Sequence, residues 1–184
     1  GNNDYNNYID YITIATTGNA SQFGLLTVNR GQMGACADET RALFGGGDNG
    51  AGTFYNTIDY ITIATTGNAT DFGDLLTTGS GLASCANATR GTWSGGAVGA
   101  ANTIQYVTIQ TTGNATDFGD LSVARSYLGA CSSGSRGVFG GGSTGSVSDV
   151  IDYITISTTG NATDFGNLSI ARQQLAGSAN PTRG

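Results

Sequence analysis

The sequence predicts an all-β protein built from four copies of one unit. The unit is clearest at residues 58–75, and its central tyrosine recurs at spacings of 49, 46 and 47 residues, as Tyr11, Tyr60, Tyr106 and Tyr153. A fixed period of this size over four copies is typical of a repeat array. Each copy contains four short strand patterns and no helical periodicity, which is the pattern of a β-propeller blade. A β-solenoid is the alternative fold class.

The repeats predict one array over residues 1–184, because each unit of such an array buries its apolar surface against its neighbours. The approximate limits of the repeats are 1–29, 30–78, 79–124 and 125–171, and residues 172–184 begin a further blade. The 31 glycines recur at fixed places in the copies, so we read them as turns and close backbone approaches.

Each strand follows from its local pattern. The Ile-Asp-Tyr-Ile-Thr-Ile segment, residues 9–14 in the first copy, contains strong strand formers and is apolar on both faces, so we expect it inside its sheet. A Thr-Thr-Gly-Asn turn follows it. The remaining strands of the first cycle are expected at 23–27, 30–36 and 41–47, before a loop at 48–57, and a last strand is expected at 175–179. We expect three aromatic side chains to be buried between blades: Phe72, Phe118 and Phe165.

The composition excludes several functions. The formal net charge is −6, which argues against a nucleic-acid partner and against an anionic membrane surface. No apolar run is long enough to insert into a membrane, and no secretory signal pattern opens the sequence. The chain has no histidine and no lysine, so Ser-His-Asp, Ser-Lys and Cys-His nucleophile systems are excluded. We predict no catalytic residue, no cofactor and no metal.

The recurring acids leave two alternatives open. Asp71, Asp74 and their counterparts could serve a glycoside hydrolase or, with Asn68, a calcium loop. Residues repeated in every copy are more often structural, so we favour side chains that shape the turn. The Asn-x-Ser/Thr sequences are likewise interpreted as turns, with glycosylation as the alternative.

Two further residue types recur at one place in each copy. The cysteines Cys36, Cys85 and Cys131 match Ser178 in the fourth copy, so we expect small, reduced, buried side chains and no disulfide. A recurring arginine is expected to bond carbonyl groups of the adjacent blade, with an anion-binding ring as the alternative. Its four occurrences are Arg41, Arg90, Arg136 and Arg183.

The order of these elements resembles the kelch β-propeller repeat. A strand ends in a glycine doublet, as in Phe44-Gly45-Gly46, and a variable loop, a tyrosine strand, an aromatic residue with a following leucine, and an arginine such as Arg125 come next. Phenylalanine stands where kelch repeats usually have tryptophan, so the relationship is a divergent one. The wording Thr-Thr-Gly-Asn-Ala-Thr-Asp-Phe-Gly-Asp-Leu also resembles repeats in structural proteins of marine tailed bacteriophages. That resemblance implies a virion component such as a tail fibre or head appendage.

The variable loops are where we expect function, because a rigid repeat scaffold presents them. Aromatic residues in the first two loops provide the candidate ligand-binding residues: Tyr5, Tyr8, Phe54 and Tyr55. Exposed aromatics beside asparagines suit saccharide stacking or a protein contact. We therefore predict a non-enzymatic virion structural or adhesion module, located on a virion or extracellularly. Its expected partners are other virion proteins, itself, or a host-surface glycan. A polysaccharide-active propeller enzyme and an extracellular glycosylated filament protein are the alternatives.

Overall fold

The computed structural model describes residues 5–96, 98 and 101–184, and in these residues the chain folds entirely from strands, turns and loops. The strands are β1 Tyr8–Tyr11, β2 Ser21–Leu25, β3 Gly34–Ala37, β4 Arg41–Gly45, β5 Thr57–Thr62, β6 Thr70–Asp74, β7 Ala83–Ala86, β8 Arg90–Ser94, β9 Thr103–Thr108, β10 Thr116–Asp120, β11 Gly129–Ser132, β12 Arg136–Gly140, β13 Val150–Thr155 and β14 Thr163–Asn167. Over these ranges we find no helix long and apolar enough to cross a bilayer.

The strands form four antiparallel sheets, in each of which neighbours in sequence are neighbours in space. Sheet I contains β1 and β2, sheet II contains β3 to β6, sheet III contains β7 to β10, and sheet IV contains β11 to β14. The first strands are adjacent, since β3 contacts β7 and β7 contacts β11. The all-β class and the four-stranded units are therefore confirmed for sheets II to IV. The Ile-Asp-Tyr strands lie inside these sheets, as predicted.

A β-bulge recurs at the same place in all four sheets. In sheet II, Ile58 pairs with Gly73 and Asp59 pairs with Asp71, so Phe72 is the extra residue. A bulge redirects a side chain and increases the local twist. The bulged phenylalanine in each sheet meets the tyrosine of the preceding strand edge to face, with ring centroids 5.9 Å apart for Tyr60 and Phe72.

The apolar core lies between successive sheets. One cluster joins sheets I and II, one joins sheets II and III, and one joins sheets III and IV. Phe72 and Phe118 are 2% exposed, as predicted for aromatics between units. The same prediction is wrong for Phe165, which is 55% exposed, because no further sheet of the described chain covers sheet IV.

The Thr-Thr-Gly-Asn turn links one sheet to the one before it. The side-chain oxygen of Asn68 accepts a hydrogen bond from the backbone N–H of Leu25 in sheet I, at 3.1 Å. Asn114 and Asn161 accept in the same way from the preceding sheet, at 3.0 and 3.1 Å. The asparagine therefore acts across sheets, whereas the sequence had predicted a role inside its own turn.

The recurring arginine makes the predicted carbonyl contact at two of its four places, Arg41 and Arg90. Arg41 and Arg90 donate to backbone carbonyl groups of the next sheet, those of Ile109 and Ile156, at 3.1 and 3.2 Å. Each guanidinium also lies over a tyrosine ring of its own sheet, 4.7 Å from the Tyr60 centroid for Arg41. These contacts join the start of the second strand in sheets II and III to the sheet that follows.

Two other predictions are modified. Residues 175–179 form no assigned strand, although Gly177 lies close against Ala130 of β11. The cysteines are free and occupy equivalent places on β3, β7 and β11, but only Cys85 is fully buried; Cys36 and Cys131 are half-buried. Burial raises the pKa of the Cys85 thiol to about 12.

Candidate functional site

The loops that follow the glycine doublets meet the segments that lead into the first strands. Asp48 pairs through isolated bridges with both Gly31 and Phe54, and Ser143 pairs in the same way with Ser126. Each loop is thereby tied to the connection that enters its own sheet. These loops and connections form one surface, which we call the loop end.

At the loop end, four equivalent residues adopt left-handed backbone conformations. We call them the left-handed series: Gln32 (φ 56°), Gly81 (φ 66°), Tyr127 (φ 56°) and Gln174 (φ 58°). A non-glycine residue in this region costs about 1–3 kcal/mol and persists only where its surroundings hold it, so such residues often mark functional sites. Within the described residues, every non-glycine residue with positive φ belongs to this series.

A chain of backbone hydrogen bonds holds the series in place. The N–H of Gly81 donates to the carbonyl of Gln32 at 2.8 Å, and the N–H of Tyr127 donates to the carbonyl of Gly81 at 2.9 Å. The N–H of Gln174 donates to the carbonyl of Tyr127 at 2.8 Å. These hydrogen bonds connect equivalent places in successive repeats, so the left-handed conformations have a structural reason.

The series surrounds a cleft of about 330 Å³. Its lining residues are all uncharged: Gln32, Met33, Gly81, Leu82, Tyr127, Leu128 and Gln174. The ring of Tyr127 lies directly on Gly81, because a Cβ built on that glycine would be 2.8 Å from the ring. The cleft therefore combines an aromatic face with two carboxamide groups on a rigid backbone.

The predicted loop aromatics occupy different environments. Tyr5 packs against Gly31 and Gly50, and its hydroxyl accepts a hydrogen bond from the Gln32 side chain at 2.9 Å. Tyr8 begins β1 and is 60% exposed. Phe54 and Tyr55 are half-buried in the 48–56 loop, where the Tyr55 N–H donates to the Gly47 carbonyl. The structure thus joins Tyr5 to the cleft through Gln32, while the ligand role of all four residues stays a prediction.

Buried ion pairs stiffen the sheets beneath the loop end. Arg30 donates to Asp59 at 3.0 Å and Arg125 donates to Asp152 at 2.7 Å, with all four side chains inaccessible to solvent. Arg125 also donates to the Phe139 and Gly141 carbonyls. Burial lowers the pKa of both arginines, although the paired aspartate opposes this effect. These connections hold the segments that carry the left-handed series.

The recurring acids do not gather into a metal-binding group. Among the described residues, no group of three or more His, Cys, Asp or Glu side chains is placed to hold a metal ion. Asp71, Asp117 and Asp164 are all exposed on the outermost strands of their sheets. The chemistry available in the cleft itself, whose lining is uncharged, is stacking and neutral hydrogen bonding.

The sequence reasoning missed the left-handed series. The available signal was variation at one fixed place. The residue before a recurring Met or Leu is Gln32, Gly81, Tyr127 or Gln174, while the residues around it recur. Only the glycine in the second copy pointed to positive φ.

Compared with known proteins, the chain matches no family model, and no curated protein matches it. Its resemblance to kelch repeats and to phage structural proteins stays a prediction.

Proposed function

We propose that the protein is a non-enzymatic adhesion module, a kelch-like β-propeller in which the four sheets are blades around one axis. In this proposal the loop end binds an uncharged saccharide or a protein on a host surface. The observation that carries the proposal is the uncharged cleft built by the left-handed series, with an aromatic ring and two carboxamides held on strained backbone. Stacked sheets with adjacent first strands support the propeller arrangement.

The ligand class follows from the lining of the cleft. An aromatic face stacks on the apolar face of a sugar ring, and carboxamides both donate to and accept from its hydroxyl groups. No lining residue is charged, and the protein carries a net charge of −6, so anionic saccharides are disfavoured. A rigid site of this kind discriminates by shape and by paired hydroxyl groups.

The location on a virion is part of the same proposal and rests on the repeat wording that resembles phage structural proteins. A virion carries many copies of its surface proteins, so weak binding at each cleft is amplified by avidity. Glycan binding by an isolated monomer is then expected to be weak, and binding by a multivalent display of the protein to be strong.

The test is binding of the multimerised protein to an array of neutral and acidic glycans. The decisive variant is Tyr127→Gly, because the second copy already has Gly81 at this place and glycine adopts the left-handed conformation without strain. We expect Tyr127→Gly to fold and to lose glycan binding by at least about tenfold, as expected for removal of a stacking ring. Gln32→Gly should weaken binding by a smaller factor.

The loop aromatics provide the second arm of the test. Tyr8→Ala and Phe54→Ala separate the outer loops from the cleft, since both leave the left-handed series intact. If Tyr127→Gly and Gln32→Gly bind normally while either loop variant loses binding, the ligand is bound by the loops and the cleft is structural. Unchanged binding by all four variants, or release of oligosaccharide from a host polysaccharide, would overturn the proposed function.

A further inference from the structure

The face of sheet IV that carries Phe165 is the uncovered counterpart of three covered faces. Phe23, Phe72 and Phe118 occupy the same bulge in sheets I to III and are buried by the sheet that follows. The face of sheet IV instead opens onto a cleft of about 550 Å³, which Val138, Ile151, Phe165, Leu168 and Leu175 help to line. The three covered contacts therefore show what kind of surface would cover the Phe165 face.

Sheet I presents the complementary surface. Ile61, Val107 and Ile154 each belong to the cluster that buries the phenylalanine of the preceding sheet. The equivalent residue in sheet I is Ile12, which is 62% exposed, whereas Ile154 is 3% exposed. Sheet I thus carries an apolar face of the type that packs on Phe165.

A backbone hydrogen bond also recurs in the contact between successive sheets. Three times, the glycine of the Thr-Thr-Gly-Asn turn donates its N–H to the carbonyl of the preceding bulged phenylalanine, for example Gly113 to Phe72 at 2.8 Å. The remaining turn is Gly18-Asn19 in sheet I, and the remaining acceptor is the Phe165 carbonyl in sheet IV, all on exposed residues.

The glycine after each phenylalanine supports the same conclusion. A Cβ on Gly24 or Gly119 would collide with the turn of the next sheet, at Gly67 or Gly160. A Cβ on Gly166, the equivalent glycine of sheet IV, would meet nothing within 4 Å. The close approach that glycine permits in sheets I to III is therefore sterically open at Gly166.

The charges also match. In sheets II and IV, an arginine four residues before the first strand bonds the aspartate of the third strand, as Arg125 bonds Asp152. The equivalent residue after sheet IV is Arg172, and the equivalent aspartate in sheet I is Asp10; both are exposed. A hydroxyl partner is present too, because Ser169 stands where Ser122 donates to Asp152.

We propose that two copies of this chain associate head to tail, with sheet I of one copy packing on the Phe165 face of sheet IV of the other. Ile12 packs on Phe165, Gly18 and Asn19 bond the outer strand, and Asp10 pairs with Arg172. The two surfaces differ, so the contact is heterologous, and its repetition gives a closed ring or an open filament. This assembly goes beyond the proposed binding function and does not depend on it.

The experiment measures mass by sedimentation and light scattering over a range of protein concentrations. The wild-type chain should form oligomers that grow with concentration. Ile12→Arg blocks one surface and Phe165→Arg blocks the other, so each variant alone should be monomeric. Mixed in equal amounts, they should form a 1:1 dimer that grows no further, because each supplies the surface that the other lacks. Both side chains are exposed in the single chain, so these variants should fold.

Two controls make the result specific. Val147→Arg changes an apolar side chain that is 53% exposed on a loop, and it should leave the oligomers unchanged. Asp10→Arg and Arg172→Asp should each weaken association, and their combination in one chain should restore it. Glycan binding by monomeric Ile12→Arg keeps this test separate from that of the binding cleft.

Four results would overturn the proposal: a wild-type chain that stays monomeric, oligomers that survive both Ile12→Arg and Phe165→Arg, a mixture of the two variants without a dimer, or no rescue by the charge exchange. A monomer that Phe165→Arg destabilises would show instead that sheets I and IV close on each other within one chain.

Discussion

Sheet III differs from sheets II and IV at one buried place. In sheets II and IV the third strand carries a buried aspartate, Asp59 or Asp152, that is bonded by the hydroxyl and the arginine of the connection entering the sheet. In sheet III the same place holds Gln105, which is 1% exposed and accepts the N–H of Leu76 at 2.6 Å. Gly79 stands in the place of the arginine.

The comparison shows which part of the arrangement the fold requires. The connection needs a buried acceptor for its N–H group, and a neutral carboxamide supplies it as well as a carboxylate does. The aspartate and the arginine can both be absent, as in sheet III. Neither can be present alone, because it would leave an unpaired charge in the interior. The repeats that form sheets II to IV therefore either have both the aspartate and the arginine or lack both.

The largest expected effect is the loss of one member of a pair. Arg125→Met should lower the free energy of unfolding by about 3–5 kcal/mol, because it leaves Asp152 buried and unpaired. Urea unfolding followed by circular dichroism measures this. Arg136→Met is the control: this exposed arginine of the same sheet lies over the Tyr153 ring, 4.3 Å from its centroid, and its loss should cost only about 0.5–1 kcal/mol. A loss below about 1 kcal/mol would mean that water reaches the pair.

The ion pair of sheet IV can also be replaced by the uncharged residues that sheet III has at the same two places. Arg125→Gly combined with Asp152→Gln copies Gly79 and Gln105 into sheet IV. We expect the combination to be more stable than the sum of the two single variants predicts, with an interaction energy of about 1–3 kcal/mol. A double-mutant cycle in urea provides the number. Strict additivity would show that the two positions are not coupled.

The cysteines test whether the sheets are otherwise equivalent. Cys85→Ser should cost about 0–1.5 kcal/mol, because Ser178 already occupies the equivalent place in the fourth copy. The Thr92 hydroxyl, 3.1 Å from the Cys85 sulfur, also offers the new hydroxyl a partner. Cys131→Ser, at a half-buried position, should cost less. Thermal unfolding of both variants checks the order, and an equal cost at the two positions would contradict the role of burial.

The smallest expected effect concerns the hairpin turns of sheets II and III, which carry Asp38 and Asn87 at the same place. Burial opposes ionisation of Asp38, but hydrogen bonds from the Arg41 and Thr40 backbone and from Gln110 and Thr40 side chains outweigh it and lower the pKa to about 2. The ionised group therefore stabilises the fold above its unfolded pKa, near 4, and this contribution is lost as the pH falls towards 2.

Asp38→Asn keeps the turn, since Asn87 already makes the same bonds to Thr89 and Arg90. The variant should match the wild type at low pH and be slightly less stable near neutrality. Unfolding in urea at several pH values between 2 and 6 measures the difference. A stability difference that does not change with pH would exclude Asp38 as its source.

The sequence alone determined the repeat, the order of the strands and the interior position of the Ile-Asp-Tyr strands, because these depend on local pattern and on a period that recurs. It also contained a readable trace of the ion pairs, since Asp59 and Asp152 occur with Arg30 and Arg125, whereas Gln105 occurs with Gly79. The bulge and the left-handed series were not predicted, because backbone pairing between strands decides them.

Tertiary structure alone decided whether the phenylalanine of an identical segment is buried or exposed. Phe72, Phe118 and Phe165 all stand in the sequence Thr-Asp-Phe-Gly, yet only the first two are buried. In each sheet the bulge directs the phenylalanine to the face that the following sheet covers. Burial requires a second surface on that face, and a neighbouring sheet supplies it for Phe72 and Phe118. At Phe165 no sheet of the described residues supplies that surface.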